Sequence, residues 1–284
     1  MDQPSLESAL ADLHLPAIRY FPTIDSTNDE AWRWIDAGAP HGALVFADEQ
    51  TAGRGRFKRH WVTPRGSGLA FSLVFVSPPL NPHVVQLLTG LGALAICNAL
   101  QTKYSLSAEI KWPNDILLNQ RKAAGVLVEV RWNGENLNAV IIGIGINIAP
   151  ESISPANLPV EGLSIPATCV ETALGHPVDR LELLHAILQE VFNWLPRLSS
   201  QAFIHAWEDS LAYRGLWVEL SVIDTVQSSH REVALPPTQV GKVIGLASDG
   251  SLKLLTLSGK LVILQVGEIH LRPTPADHPS LPPD

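Results

Sequence analysis

The sequence predicts an α+β fold, in which helices pack on a sheet that is at least partly antiparallel and a small β-barrel follows. Three observations carry this. Up to about residue 212, apolar runs of strand length alternate with segments of helical periodicity. Two of those runs, GVLVEVRW and LNAVIIGIGINI, flank Asn133-Gly134, and Asn-Gly between apolar runs signals a hairpin. From about residue 214 only short strands and turns containing glycine remain.

Residues 5–14 read as a short helix. Ser26-Thr27, followed by Asn28-Asp29-Glu30, caps a helix over 27–37, which Gly38, Pro40 and Gly42 close. ALVFADEQ is a strand feeding a basic segment, and GLAFSLVFV (68–76) is a long strand. Between His83 and Tyr104, Val84, Leu87, Leu88, Leu91, Leu94 and Ala95 fall at core-helix spacing. AEIKW precedes the two hairpin strands. Residues 150–166 are rich in Pro, Ser and Asn and read as a long loop. Helices are expected at 166–175, 179–198 and 199–212. WVELSVID, QVGKVIGLA, SLKLLTL and KLVILQVGEI supply the barrel, and the proline-rich end reads as disordered. The expected domains are 1–212, 213–272 for the barrel and 273–284 for the tail.

The chain has 284 residues, 46% of them hydrophobic and 17% charged, an ordinary globular composition. A net charge of −8 repels nucleic acid and anionic lipid on average, so such a contact needs a local basic patch. The two cysteines, Cys97 and Cys169, sit in apolar surroundings and read as buried thiols, which excludes a disulfide scaffold. The N-terminus is not patterned as a signal peptide, and no apolar run is long enough to cross a bilayer. The expected location is the cytoplasm. No Rossmann or P-loop pattern, metal-ligand cluster or nucleophile elbow is present.

One segment is unusual. Gln50–Trp61 (QTAGRGRFKRHW) places Arg54, Arg56, Lys58 and Arg59 within six positions, spaced by Gly53 and Gly55. Like charges repel, and glycine raises the cost of ordering the segment. A solvated surface loop and an RNA-binding arginine–glycine segment are both open readings. A third is a phosphate-closing loop, because exposed backbone N–H groups and guanidinium forks suit phosphate oxygens. That reading predicts order with ligand and disorder without it.

Other segments are ambiguous singly. KWPND (111–115) ends a strand with Lys111, Asn114 and Asp115 together at a place where sites occur. Lys122 starts a strand that is apolar on both faces, so alternation does not say which way it points, and an edge-strand gatekeeper is the plain alternative. The Ser26–Asn28 cap could also hold a polar ligand head. Asn147 ends an apolar strand as either a satisfied asparagine or a ligand contact.

In their order and spacing these pieces resemble the biotin protein ligases: STN at 26–28, Q-x-x-GRGR at 50–56 with Trp61, KWPND at 111–115, RK-x-AG-x-LVE at 121–129 and G-x-GIN at 143–147. The resemblance is strong over about 20–150 and weaker through WEDS (207–210) and the C-terminal strands. It implies a mixed sheet backed by helices, as in class II aminoacyl-tRNA synthetases, followed by an SH3-like barrel. It implies that biotin and ATP with Mg²⁺ form biotinyl-5′-AMP, which a lysine of a biotin carboxyl carrier protein then attacks. Carried over by position, Ser26, Thr27, Asn28 and Gln50 are the biotin head-group residues, with Gly125 allowing close approach. Arg54, Gly55 and Arg56 form a lid. Lys122 is the central cation between biotin's carboxylate and the α-phosphate. Arg54, Arg56, Trp61, Lys111, Asn114, Lys122 and Asn147 face the nucleotide, and Asp115 orients or deprotonates the acceptor amine. Metal-ligating side chains are not expected.

Two departures stand out. Lys58 replaces a lid glycine common in the family, and RKAAG replaces RKLAG. Because STN begins at residue 26, no winged-helix domain is expected ahead of it, nor operator binding. The sequence leaves a homodimer through a sheet edge open. The rivals are a lipoate or octanoyl ligase, whose R-R-x-x-G-G-G run is absent here, and a nucleic-acid-binding module built on the basic segment.

Overall fold

The computed structural model describes residues 1–78, 84–153, 165–222, 239–265 and 269–274. Helix α1 (Gln3–Ala9) opens at Asp2, whose carboxylate accepts from Ser5 N, and a 3₁₀ turn continues it over Ala11–Leu13. Strand β1 (Ile18–Phe21) leads to α2 (Thr27–Asp36), capped by Ser26 as the sequence predicts. Strand β2 (Ala43–Ala47) ends earlier than expected. Asp48 and Glu49 break it, and Gln50 starts a separate strand, β3 (Gln50–Arg54). Strand β4 (His60–Thr63) pairs antiparallel with β3, so the basic segment is a hairpin with a 3₁₀ turn at Arg56–Lys58.

Strand β5 (Gly68–Val76) has the predicted bounds, and helix α3 (Leu87–Tyr104) follows. Strands β6 (Glu109–Lys111) and β7 (Asp115–Leu118) flank the KWPND turn. Strands β8 (Arg121–Asn133) and β9 (Asn136–Asn147) form the Asn-Gly hairpin, with Gly134 at φ +61°. Most of the expected loop at 150–166 lies outside the described residues. Three helices follow: α4 (Val170–Leu174), α5 (Arg180–Trp194) and α6 (Gln201–Asp209).

Strands β1, β2 and β5–β9 make one seven-stranded sheet in the order β1-β2-β5-β9-β8-β7-β6. Only β1–β2 is parallel, so the sheet is mixed, as expected. One face carries the large core with α3 and α5, built from residues such as Leu91, Leu94, Ile187 and Phe71. The other carries α2, through Ala31 and Trp34 against Val45, Val74 and Ile141. Burying such side chains contributes roughly 1.5–3 kcal/mol each. Cys97 and Cys169 are buried free thiols.

The C-terminal strands are β10 (Trp217–Val222), β11 (Gln239–Leu246), β12 (Leu252–Thr256), β13 (Leu261–Leu264) and β14 (Ile269–Pro273). They form a five-stranded antiparallel sheet in the order β13-β12-β11-β10-β14. The run KLVILQVGEI, read as one strand, is two strands at opposite edges of this sheet. Pro273, assigned to the tail by sequence, closes β14 opposite Val218. The remaining tail, 275–284, lies outside the described residues.

Candidate active site

The site follows from register. Residues directly paired across antiparallel strands share a face, and so do residues two apart on one strand. Ala70, Gly145, Gly125, Asp115 and Lys111 pair in sequence across β5, β9, β8, β7 and β6 and form one row. Two residues along β5 and β9, Ser72 pairs with Gly143 on the same face. This is the face that carries α2. The row therefore carries glycines in its middle and charged residues at one end, and the polar Ser72 lies beside its other end.

The polar end is buried. Ser26, Thr27, Asn28, Gln50 and Ser72 are each at most 5% exposed. The Thr27 backbone N–H and Oγ1 both donate to Gln50 Oε1, at 2.9 and 3.1 Å. Ser72 Oγ lies 2.8 Å from Thr27 Oγ1 and donates to Asn28 Oδ1 at 2.6 Å. Asn28 Nδ2 donates to Glu129 Oε2 at 2.8 Å. A cap alone needs Ser26, which accepts from Asp29 N, and not this network. Buried polar groups require such partners, and a connected set holds each donor and acceptor in one direction.

Two glycines let other side chains lie directly against the sheet. A Cβ on Gly143 would collide with the Asn28 amide, and one on Gly145 would lie 2.5 Å from the Trp61 ring. Trp61 thus packs against β9 at Gly145, and the β3–β4 hairpin stands over the sheet there. At its root, Gln50 Nε2 reaches Trp61 O at 3.4 Å.

The charged end answers the question of where Lys122 points. A β-bulge interrupts the β7–β8 register, pairing Ile116 with Ala124 but Leu117 with Lys122. Bulges re-aim side chains, and this one brings Lys122 Nζ to 2.6 Å from Asp115 Oδ1 and 5.6 Å from the Trp61 ring centroid. Gly125 lies beside this pair, and a Cβ there would make only ordinary contact with Lys122 Nζ, at 3.6 Å. Burial pushes the Asp115 pKa up, but the charge and hydrogen bond of Lys122, with Lys111 and Arg59 beyond, outweigh it and hold the carboxyl below its ordinary value. The Lys122 backbone is clamped as well, its N–H donating to Pro166 O and its carbonyl accepting from Thr168 N, both at 2.8 Å.

The remaining residues divide. Arg56 Nη1 donates to Asn114 Oδ1 at 3.3 Å, joining the hairpin tip to the KWPND turn. Asn114 is itself tied to Val126 O at 3.1 Å. Gly55 N–H closes the hairpin turn on Arg59 O at 2.7 Å. Arg54 turns away toward the α2 side, 2.5 Å from Asp29 and 3.2 Å from Glu129. Asn147, 4% exposed, donates to Thr168 O at 3.1 Å and so supports the segment that clamps Lys122. Sequence reasoning missed Ser72, whose signal was a lone hydroxyl inside GLAFSLVFV. It quoted Glu129 and Gly143 in motifs without giving them a place in the site.

An ammonium and guanidinium groups beside a glycine-containing stretch of sheet and a buried polar network suit a ligand with an anionic end and a polar, neutral head. The comparisons with known proteins agree. Residues 20–147 match the biotin/lipoate A/B protein ligase family, and the chain belongs to that family. Among its relatives, the biotin--[acetyl-CoA-carboxylase] ligase of Paracoccus denitrificans is 38% identical over 188 residues, covering 64% of this chain and 76% of that protein. The bifunctional ligase/repressor BirA of Bacillus subtilis is 32% identical over 240 residues, covering 84% of this chain and 70% of its own length. The biotin protein ligase of Aquifex aeolicus, solved in complex with biotin and ATP, superposes with a TM-score of 0.71 at 27% identity, over 91% of this chain and all of the other.

Proposed function

We propose that this chain is a biotin protein ligase acting on a biotin carboxyl carrier protein. Biotin's carboxylate attacks the α-phosphorus of ATP, pyrophosphate leaves, and biotinyl-5′-AMP remains in the site. The ε-amine of a carrier lysine then attacks the acyl carbon and AMP leaves. The observation that carries this reading is the Lys122–Asp115 pair at one end of a glycine floor whose other end is the buried Ser26–Asn28, Gln50 and Ser72 network.

In this reading the head group is held by the polar network, and the acyl chain runs from it toward Lys122 past the Trp61 ring, which covers Gly145. Lys122 lowers the repulsion between two anions that must meet, a step that proximity and a fixed positive charge both favour. Arg54, Arg56 and Gly55 belong to the hairpin that covers the adenylate and limits its hydrolysis. Arg54 Nη2 already touches Asp29, so a phosphate would have to compete for it. Trp61, Lys111, Asn114 and Asn147 line or support the nucleotide end. Mg²⁺ accompanies the phosphates of ATP and neutralises part of their charge. Asp115, ionised and with a lowered pKa, is a weak base. It suits orienting Lys122 and the incoming amine better than removing a proton.

We further read residues 1–212 as the catalytic domain and the C-terminal sheet as an SH3-like barrel. Among the described residues no helix is long and apolar enough to cross a membrane, and we place the protein in the cytoplasm. The test mixes the protein with biotin, ATP, Mg²⁺ and a biotin carrier domain and weighs the carrier. The expected result is a mass gain of one biotinyl group, dependent on ATP. Labelling by lipoate or octanoate but not by biotin would overturn the assignment in favour of the other branch of the family.

A further inference from the structure

The KWPND turn is held from outside the catalytic sheet. Trp112, 2% exposed, sits between Lys111 and the Asn114-Asp115 pair, and its indole N–H donates to Gly250 O in the C-terminal sheet at 2.9 Å. Gly250 lies in the β11–β12 turn at φ +82°, where Asp249 Oδ1 accepts from Ser251 N. A Cβ there would lie 2.7 Å from the ring of Trp207, which is itself packed over Gly90 of α3. The same WEDS segment continues the contact. The Glu208 carboxylate accepts from Leu246 N at 2.6 Å, beside the β11 bulge at Gly245. Ser210 O accepts from Ile110 N at 2.7 Å, and Ile110 O accepts from Ala212 N at 2.9 Å. One continuous stretch, 207–212, thus joins the C-terminal sheet to β6, the strand that presents Lys111.

We infer that Trp112 is a positioning residue through which the Gly250 turn of the C-terminal sheet sets the place of Lys111, Asn114 and Asp115. The inference rests on the ligase reading above. Trp112 is buried and touches no reacting atom. Its ring and N–H fix the backbone from which the nucleotide-side groups project. β6 is only three residues long, paired with β7 on one side and bridged through Ile110 to Leu211 on the other, so its position depends on the 207–212 stretch that also meets the C-terminal sheet. A misplacement at the nucleotide end affects ATP and leaves the biotin recess, built on α2, β3 and β5, as it was.

The test compares full-length wild type with Trp112→Phe, which keeps an aromatic ring and deletes the donor, and with Gly250→Ala, which disturbs the turn from the far side. Pyrophosphate release gives KM for ATP and for biotin separately, and thermal melts report folding. Loss of one hydrogen bond, about 1 kcal/mol, corresponds to about fivefold. The expected result is a rise in KM for ATP of at least that size in both variants, with KM for biotin within about twofold of wild type. A lowered Tm with KM for ATP unchanged in Trp112→Phe would make the contact merely structural and overturn the inference. An equal rise in both KM values would also overturn it. Should Gly250→Ala fail to fold, Trp112→Phe decides alone. A wild-type protein that releases no pyrophosphate from ATP and biotin overturns the ligase reading instead, so the two failures are told apart.

Discussion

Asp115 and Lys122 neutralise each other 2.6 Å apart, and the proposed chemistry uses each differently. Lys122→Ala is expected to abolish adenylate formation, measured as biotin-dependent pyrophosphate release. Asp115→Asn is expected to keep that step within a few-fold and slow transfer from preformed biotinyl-AMP at least tenfold, a loss of about 1.4 kcal/mol in transition-state stabilisation. Equal damage to both half-reactions would remove the separate role of Asp115. Its lowered pKa also has a sign. The contribution to stability is complete above the ordinary Asp value of about 3.9 and is lost as pH falls through the lower folded value. Wild type is therefore expected to lose Tm relative to Asp115→Asn only below about pH 4, which melts across pH 3–7 would check. The motif residues were visible in the sequence as residues, but their directions were not. Lys122 needed the bulge, and Ser72 looked like one polar interruption of an apolar strand.

At the level of elements, the long strand at 68–76 and the hairpin at Asn133-Gly134 were legible because periodicity and turn chemistry agreed there. Strands β7 and β1 were not. β7 has four residues, and its turn to β8 runs through Asn119 and Gln120 at φ +49° and +60°, a left-handed pair without the glycine that signals it. β1, also four residues, lies between prolines at 16 and 22. The basic segment was expected as a loop. Its hairpin pairing depends on Gly53 facing Trp61, which the charge pattern does not reveal. Gly145→Ala is expected to lift Trp61 and the hairpin from the floor and raise KM for biotin at least tenfold, whereas Gly134→Ala, whose Cβ would meet nothing within 4 Å, costs about 1 kcal/mol of stability through its positive φ and leaves KM unchanged. Arg56→Gly breaks the bond to Asn114 and is expected to speed escape of biotinyl-AMP, seen as labelling of unrelated lysines. Adenylate retention equal to wild type would count against a covering role for the hairpin.

Across the whole molecule, the order of motifs disclosed the catalytic half, and the change in strand length near residue 214 disclosed the C-terminal sheet. How the two meet was hidden, because Gly250, Trp207 and Glu208 are far apart from Trp112 in sequence, and the helical periodicity that buries Trp207 does not say which element it packs against. Glu208→Ala would leave Leu246 N–H without its acceptor and is expected to lower stability by about 1–3 kcal/mol, read from denaturant melts. An unchanged midpoint would mean that this carboxylate does not hold the two sheets together.

Lys122 and Asp115 lie recessed, with side chains 29% and 20% exposed, at the foot of an overhanging hairpin. Under the proposed function, an acceptor lysine has to come in beneath that hairpin, and one at the tip of a narrow projection would meet less of it than one on a flat surface. The outline of the partner would then matter alongside the side chains it presents.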